Sequence, residues 1–533
     1  MQLNNVNTTD ILDAIRLGCR TMCSVFNADD NHIPFFGSRV RPNAELSFSW
    51  AHSESHVPGR HLNALLNAEA AAGITLDEEC IDHHARAAFF SYGGAVPLPL
   101  NRAAVDGPLV NFLPHNVREG FHALYALAHF RQSEKAYDLA QASIAAILER
   151  WDPVKGWDYE YLEGESGLTV QRSTFIVGLA RAIGPLVKLY RTTRCASALE
   201  LAIILAQKAT NEFFTAGGGY DRETFGTHTH STTCVMSSLA QLAELTSDAH
   251  LMERVRAFYD NGLWQIRDEL GWVIESSADE ADPDRGEVNN TGDIVETALL
   301  LGRWGYPEYY QDAERILRGH MLPSQLRDVS FIQEPSNSNA EDGKRDVAQR
   351  HLGAFGFPAP YGHEPLEAES ISFNMDIVGG AVGSLCAVYR EIAHSDRAGH
   401  WVHLLFDHET AAVRVESPYT HPCLRVRVKR PGPLFVRIPS WVMNDEIQIG
   451  GSDAAPHFVK GYLCLAKPRL NRWIEIDFPL TEQEISLKHR TRDIAVRLRG
   501  DEVTAMQNLD ADLTFFASTA TMSENETMNE SRS

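Results

Sequence analysis

The chain is 533 residues long, with 48 Lys+Arg against 71 Asp+Glu and a formal net charge of −23 at pH 7. Hydrophobic residues make up 44% and charged residues 22%, which rules out disorder for the bulk of the chain and suits roughly two to four domains. Such acidity argues against a binder of nucleic-acid phosphates or of an anionic membrane surface.

No run approaches the ~18 apolar residues of a spanning helix. The start, MQLNNVNTTD, lacks the basic residues and apolar stretch of a secretory signal. The expectation is a cytoplasmic protein without nucleic-acid or membrane partner, with a homodimer left open. The eight cysteines include no CxxC pair, and all are expected to be reduced, with Cys195, Cys234 and Cys386 acting as small hydrophobes in helices. Cys19 and Cys23 would share one helical face.

From about residue 8 to 395 the pattern is repeatedly helical. Glu119 to Arg131 is followed by Ser133 to Trp151, Arg172 to Tyr190 by Ala196 to Phe214, Ser231 to Leu245 by Ala249 to Arg267, and Asp293 to Trp304 by Pro307 to Leu322. Each pair reads as an αα-hairpin with a short turn inside and a longer loop after it. Stacked hairpins of this kind close into a toroid, and function gathers on the long loops at one end. After residue 400 the period shortens. Glu416 to Val428, Leu434 to Ile438, Glu446 to Gly450, Gly461 to Ala466 and Trp473 to Phe478 read as strands of an antiparallel sandwich, with Trp441 and Trp473 in its core. The expected fold class is therefore α+β and multidomain: an (α/α)6 toroid over 1–397, a β-sandwich over 398–515, and a disordered tail over 516–533.

Four segments concentrate polar and aromatic residues. They are Trp50 to Arg60, which holds His52 and Arg60; Trp157 to Tyr161, ahead of a helix opened by Gln171, Arg172 and Ser173; Gly217 to Asp221 with Tyr220, followed by Thr227 to Thr232 with His228 and His230; and the acidic run Glu275 to Glu296. Each has a bland reading as a plug, a solvated face or a helix cap, with Ser231 and Asp293 as candidate N-caps. Their recurrence at one topological place shifts the balance, because a toroid gathers those places at one mouth. Aromatic faces, carboxylates and imidazoles together are the composition of a carbohydrate site.

Glycoside hydrolysis needs an acid for the leaving oxygen and a base or nucleophile. Glu280, Glu287, Asp293 and Glu296 supply candidates, and the spacing of three puts Asp293 and Glu296 on one side of a helix. A metal site of His228, His230 and a carboxylate has no supporting HExxH-like or Cys-rich spacing, so neither metal nor cofactor is expected. Tyr361, in Phe355 to Glu364 with its Pro and Gly residues, is a candidate substrate contact on a lid, unless that segment is a plain connection.

At these residues the chain resembles the six-hairpin glycosidase superfamily, and within it the β-L-arabinofuranosidase-like group, glycoside hydrolase family 127 and relatives. Glu296-Thr297-Ala298, then Tyr309-Tyr310-Gln311-Asp312-Ala313-Glu314-Arg315, is similar to the group's E-T-C and Y-x-D-x-x-E-R-x-L stretch. Arg437-Ile438-Pro439-Ser440-Trp441, Gly461-Tyr462 and Trp473 are similar to its sandwich motifs. The resemblance implies a zinc site and a cysteine nucleophile. Here the E-T-C cysteine position is Ala298, and the later paired cysteines fall at Phe373 and Asn374, so only Glu296 of that set survives. By the same resemblance the acid/base glutamate falls near Glu280 or Glu287, and a substrate-contacting histidine at His228 or His230.

Three readings follow. One is an exo-acting, metal-independent hydrolase of an oligosaccharide, with Glu280 or Glu287 as acid and Asp293 or Glu296 as base. The second is a lyase or uronate enzyme drawing on Tyr220, His228, Arg172 and Asn290. The third is a non-catalytic carbohydrate-binding relative.

Overall fold

The computed structural model describes residues 1–277, 285–356, 359–364, 371–452, 455–489 and 492–519. Its helices are α1 (Ile11–Met22), α2 (Val57–Ala72), α3 (Glu78–Ser91), α4 (Val117–Phe130), α5 (Glu134–Arg150), α6 (Ile183–Thr193), α7 (Ala196–Glu212), α8 (Arg222–Phe225), α9 (Thr229–Thr246), α10 (Ala249–Asp260), α11 (Val288–Arg303), α12 (Glu308–Ile316), α13 (Val347–His351) and α14 (Ile377–Glu391).

Two kinds of helix alternate along the chain. In α9 every residue from Thr229 to Ala240 is buried, whereas α5 buries one stripe of Ala136, Ala140, Ser143, Ile144 and Ile147. A helix apolar or small all round must be surrounded, and a striped one lies on an outer surface. The packing obeys this. α2 contacts α4, α4 contacts α6, and the chain of contacts continues through α9, α11 and α14 back to α2, a closed cycle. Around it lie α3, α5, α7, α10 and α12, each against its hairpin partner, with α1 against α14.

Among the helices lie small sheets, Gly37–Arg41 with Glu45–Ser47 and Ile371–Asn374, Leu109–Phe112 with Leu100–Arg102 and Thr169–Val170, and Trp151–Asp152 with Gly156–Trp157; the strand-rich part of the chain begins at residue 393. One sheet runs His457–Val459, Tyr462–Leu465, Leu434–Arg437, His400–Val402, Ala393–Ser395. A second runs His408–Glu409, Val413–Glu416, Leu424–Val428, Trp473–Asp477, Gln448–Gly450. Alternation sets the faces: Leu424, Val426 and Val428 point into a core shared with Leu434, Val436, Leu463 and Leu465 of the other sheet. A third sheet, Glu482–Lys488, Asp493–Arg499 and Glu502–Met506, packs elsewhere. Its Leu487, Ile494, Val496, Leu498 and Met506 join the helical core.

Several expectations are revised. Arg172 to Gly178 is not helical; the Thr174 hydroxyl accepts from the Val177 amide in a turn, and α6 starts only at Ile183. The strand expected over Glu416 to Val428 is two, joined through Ser417 to Cys423. Trp473 is not core. It lies half-buried on the outer face beneath the guanidinium groups of Arg414, Arg425 and Arg427. Cys23 and Cys80 are not thiols but a disulfide linking the end of α1 to α3. The chain stays packed past residue 516, with Phe516 buried and the Met506 amide bonded to the Ala517 carbonyl; residues 520–533 lie outside the described residues. No described helix is long and apolar enough to cross a membrane.

Candidate functional site

All six helices of the inner cycle start at the same end, and their N-cap positions form the site. The caps are His56 for α2, Asn116 for α4, Ala182 for α6, His228 for α9, Glu287 for α11 and Asp376 for α14. None of the six makes the usual side-chain bond to its own helix. By contrast Asp10, Asp77, Ser133 and Asp248 do cap the outer helices α1, α3, α5 and α10. A side-chain cap is worth about 1 kcal/mol. Ala182 has no group to cap with; the other five forgo the bond and join the polar cluster.

Arg60, one turn into α2, organises the centre. Its Nη1 lies 3.1 Å from Asp376 Oδ2 and 3.8 Å from Glu287 Oε1, and its Nε lies 3.3 Å from Glu119 Oε1. Glu119, fully buried on α4, also receives Arg118 at 3.0 Å and Arg181 at 3.2 Å. His56 donates from one ring nitrogen toward Asp376 Oδ2 at 3.2 Å, with Asn116 Oδ1 2.9 Å from the other. On the far wall His230 stands between two carboxyls: Nδ1 is 3.7 Å from Glu287 Oε1 and Nε2 is 3.4 Å from Asp293 Oδ2. The Thr233 hydroxyl donates to Asp293 at 3.1 Å, and the Asn289 amide donates to Glu287.

Burial and charge separate these carboxyls. Burial pushes Glu287 up to about 7 in spite of Arg60, and pushes Asp293 up to about 7 in spite of Arg118. Burial also opposes the charge on Asp376, but there Arg60 and the His56 bond outweigh it and hold the carboxyl far below the ordinary range. Glu119 likewise stays ionised against its burial because of His56 and the three guanidinium groups. The imidazoles go the other way. Burial, reinforced by Arg181 and Arg60, takes His228 down to about 3 and His230 well below its usual value; burial and Arg181 do the same to His115, and burial and His56 take His52 to about 3. The neutral rings of His52, His115 and His228 lie close together, His115 stacked on His56 at 5.2 Å and edge-on to His228 at 5.6 Å, and His52 stacked on Phe36 at 4.2 Å.

A cavity of about 30 Å³ lies below them, walled by Arg60, Arg118, His230, Cys234, Asn289 and Asp293 among others. Buried oxygens at the centre lack a hydrogen-bond partner among the described residues: Glu119 Oε2, Asp376 Oδ1 and Asn289 Oδ1.

Of the residues singled out in the sequence, Glu287, Asp293, His228, His230, His52 and Arg60 converge here. Glu296 lies one turn deeper on α11, bonded to Ser384 at 2.7 Å and Ser237 at 3.3 Å. Asn290 is buried and ties α11 to Thr229 at 3.1 Å. Asp293 and Ser231 are not N-caps, since α9 and α11 begin earlier. Tyr220 is half-buried and bonded to Ser277 at 2.8 Å, and Arg172 is exposed, paired with Glu163 and stacked on Tyr159. Tyr361, expected on a lid, is instead wholly buried with its hydroxyl on Asp268 at 2.5 Å; His363 and Glu364 are buried beside it, so this segment is a packed connection. Glu280 lies outside the described residues. His56, His115, Arg118, Glu119, Arg181 and Asp376 were missed. Of these only His56 sat in a segment already flagged, and Asp376 carries no motif beyond standing before an apolar helix.

For a metal, His228, His230 and Glu287 place ligand atoms within 4.8 Å of one another, and so do His52, His56 and His115. Arg60 lies against the first set and Arg181 against the second, and a fixed cation there opposes a bound one. The cysteine ligands that the resemblance implies are missing: Ala298 and Phe373 are in the hydrophobic core, and Asn374 is exposed.

No protein-family model and no curated protein matches the chain. Solved structures do. A family 127 β-L-arabinofuranosidase from Geobacillus stearothermophilus T6 superposes with a TM-score of 0.55 at 15% identity, over 92% of this chain and 80% of the other. A second family 127 β-arabinofuranosidase gives 0.53 at 12%, over 92% and 78%. The fold is that of the six-hairpin glycosidases. A sugar epimerase from a ruminal bacterium superposes with a TM-score of 0.50 at 10% identity, over 71% of this chain and 99% of its own. At such identities the likeness concerns the fold, and the chemistry must be argued from the site.

Proposed function

We propose that the chain is a carbohydrate-processing enzyme, an exo-acting glycoside hydrolase that removes a terminal sugar from an oligosaccharide without a metal. Residues 1–397 would form the catalytic (α/α)6 toroid and 398–515 a β-sandwich beside it. The observation that carries this reading is the pair Glu287 and Asp376. Both lie within 4 Å of the same Arg60 nitrogen, yet one is pushed up to about 7 and the other is held ionised. Two carboxyls with affinities for the proton driven apart are the requirement for acid and base roles at neutral pH.

Glu287 then protonates the leaving oxygen, and Asp376 acts as base or nucleophile, in place of the Asp293 or Glu296 suggested by spacing. Arg60 stabilises the ionised partner and keeps it from taking the proton back. Asp293, sharing His230 with Glu287, orients that ring. The neutral imidazoles of His52, His115 and His228 offer flat faces to a sugar ring. The unpartnered oxygens of Glu119, Asp376 and Asn289 accept from hydroxyls, as expected where a polyol completes the bonding. The 30 Å³ cavity holds a water or two rather than a sugar, which puts the sugar above it.

The test is a panel of neutral and uronate-terminated oligosaccharides, read for new reducing ends and for ultraviolet absorbance of an unsaturated uronate, with chelator present. New reducing ends without absorbance are expected. Rising absorbance would mean elimination, although Tyr220 and Arg172, the groups suggested for it, do not reach the centre. A second reading has one specific support. His115 and His228 stand edge to face with ring centroids 5.6 Å apart, two neutral bases of the kind that removing and returning a proton in an epimerisation needs, and the likeness to a sugar epimerase points the same way. Deuterium incorporation from D2O into the sugar without new reducing ends would favour it over hydrolysis.

A further inference from the structure

The inner cycle has a second mouth. At the C-terminal ends of its helices lies a basin of about 270 Å³, with Tyr125, Leu299, Leu300 and Ala387 as its apolar surface. Asn63, Lys188, Gln241, Glu296 and Gly383 line both this basin and the upper cavity, and so form the partition between them.

The basin is rich in cations. Arg191, Arg303 and Arg390 occupy the last turns of α6, α11 and α14, where the negative end of the helix dipole accounts for them. Arg191 and Arg303 are also paired, both with Glu244, and Arg303 with Glu391. Among the described residues Arg390 bonds Asn67 alone. Lys188 has no such explanation. It lies in the middle of α6, inside the lumen, and its ammonium makes no hydrogen bond or ion pair with any described residue. Glu296, the nearest carboxylate in the partition, is already bonded by Ser237 and Ser384. Glu296 and Asp293 act on this ammonium across space, but no described group hydrogen-bonds it; a half-enclosed ammonium with its donors unused, next to a guanidinium bonded to Asn67, is an arrangement that can bind an anion.

We propose that this basin is a second ligand site, separate from the mouth, that takes a small anion bearing a phosphate or carboxylate, with Lys188 as its anchoring cation and Arg390 at its rim. The site stands whether or not the hydrolase reading holds. Its sources differ: a free or sugar-borne phosphate, or the carboxylate of a sugar acid. Glu296 touches the partition from the active side, so an occupant would be felt at Asp293 one turn above.

Isothermal titration of inorganic phosphate, and separately of glucuronate, into the full chain tests it. Saturable one-to-one binding is expected in the wild type and in Lys188→Arg, weakened at least tenfold in Lys188→Met and in Ala387→Glu, which sets a carboxylate on the basin wall without touching the lumen. Glu287→Gln is expected to bind as the wild type does. Glucuronate binding with the same dependence on Lys188 identifies a sugar acid, and phosphate binding alone identifies a phosphate; either supports the site. Absence of binding by both probes at tens of millimolar, equal binding in Lys188→Met and Ala387→Glu, or loss in Glu287→Gln alone would overturn it.

Discussion

Two polar clusters of this molecule look alike on paper and do different things. One is the mouth, where Arg60, Glu119, Asp376, Glu287 and His230 meet. The other is a clamp between α12 and the β-strands, where Glu314 is fully buried. Glu314 receives two bonds from Arg318 (3.1 and 2.9 Å), one from the Leu405 amide (3.1 Å) and one from Arg437. Arg437 also holds Gln311 at 2.6 Å, while Asp501 gathers Gln311, Arg315 and Trp441. In the clamp every strong acceptor is filled by the protein. In the mouth, oxygens of Glu119 and Asp376 are left over and two carboxyls are kept near neutrality. A satisfied buried network fixes a structure, and an unsatisfied one waits for something.

The largest way to break this comparison is at Glu287, the proposed acid. Glu287→Gln should lower the rate by about 10²–10⁴-fold in a steady-state assay on the substrate found by the panel, with the fold unchanged by circular dichroism. In the clamp the same logic predicts stability loss instead. Arg437→Met leaves Glu314 short of one partner and should cost about 3–5 kcal/mol in denaturant unfolding, with kcat retained in the fraction still folded.

Asp293 sharpens the contrast with the opposite sign. Its folded pKa is raised, so the native state keeps a proton that the unfolded chain releases between pH 4 and 7. Stability therefore falls as pH rises through that window, and above it the full penalty remains. Asp293→Asn should raise the unfolding free energy at pH 8 by up to about 4 kcal/mol and change it little at pH 4. The smallest effect concerns caps. Ser133→Ala should cost about 1 kcal/mol, since the Ser133 hydroxyl accepts from the Ala136 amide at 3.2 Å. His56→Ala should show no comparable loss of helix capping, because His56 caps nothing.

The clamp is the part the sequence displays. The Tyr309 to Arg315 stretch and Arg437 to Trp441 read as motifs because one element carries several fixed partners in a row, and in space those two motifs face each other. The hairpins were legible for the same local reason: amphipathic period, turn residues and outer caps lie close together in the chain. The mouth was only half legible. Glu287, Asp293, His228, His230 and Arg60 sat in loops already rich in polar residues. Glu119 and Arg118 sit at the start of a helix whose apolar period hides them, and Asp376 stands before an apolar run as any N-cap would. The residues come from the starts of different helices, with Arg181 just ahead of α6, so the cluster exists only after the cycle closes. The disulfide between Cys23 and Cys80 was hidden in the same way, its halves 57 residues apart. Conversely Tyr361 looked accessible because Pro and Gly surround it, and only the packing against Asp268 shows that it is buried.

The most direct test of the claim that the mouth acts and the clamp holds is the pH dependence of kcat/KM for the wild type and for Glu287→Gln on one cleaved oligosaccharide. The wild type should lose activity as pH rises through about 7, where Glu287 gives up its proton, and that basic limb should vanish with most of the rate in Glu287→Gln. A variant that keeps full activity with an unchanged basic limb would contradict the assignment of Glu287 and, with it, the reading of the mouth.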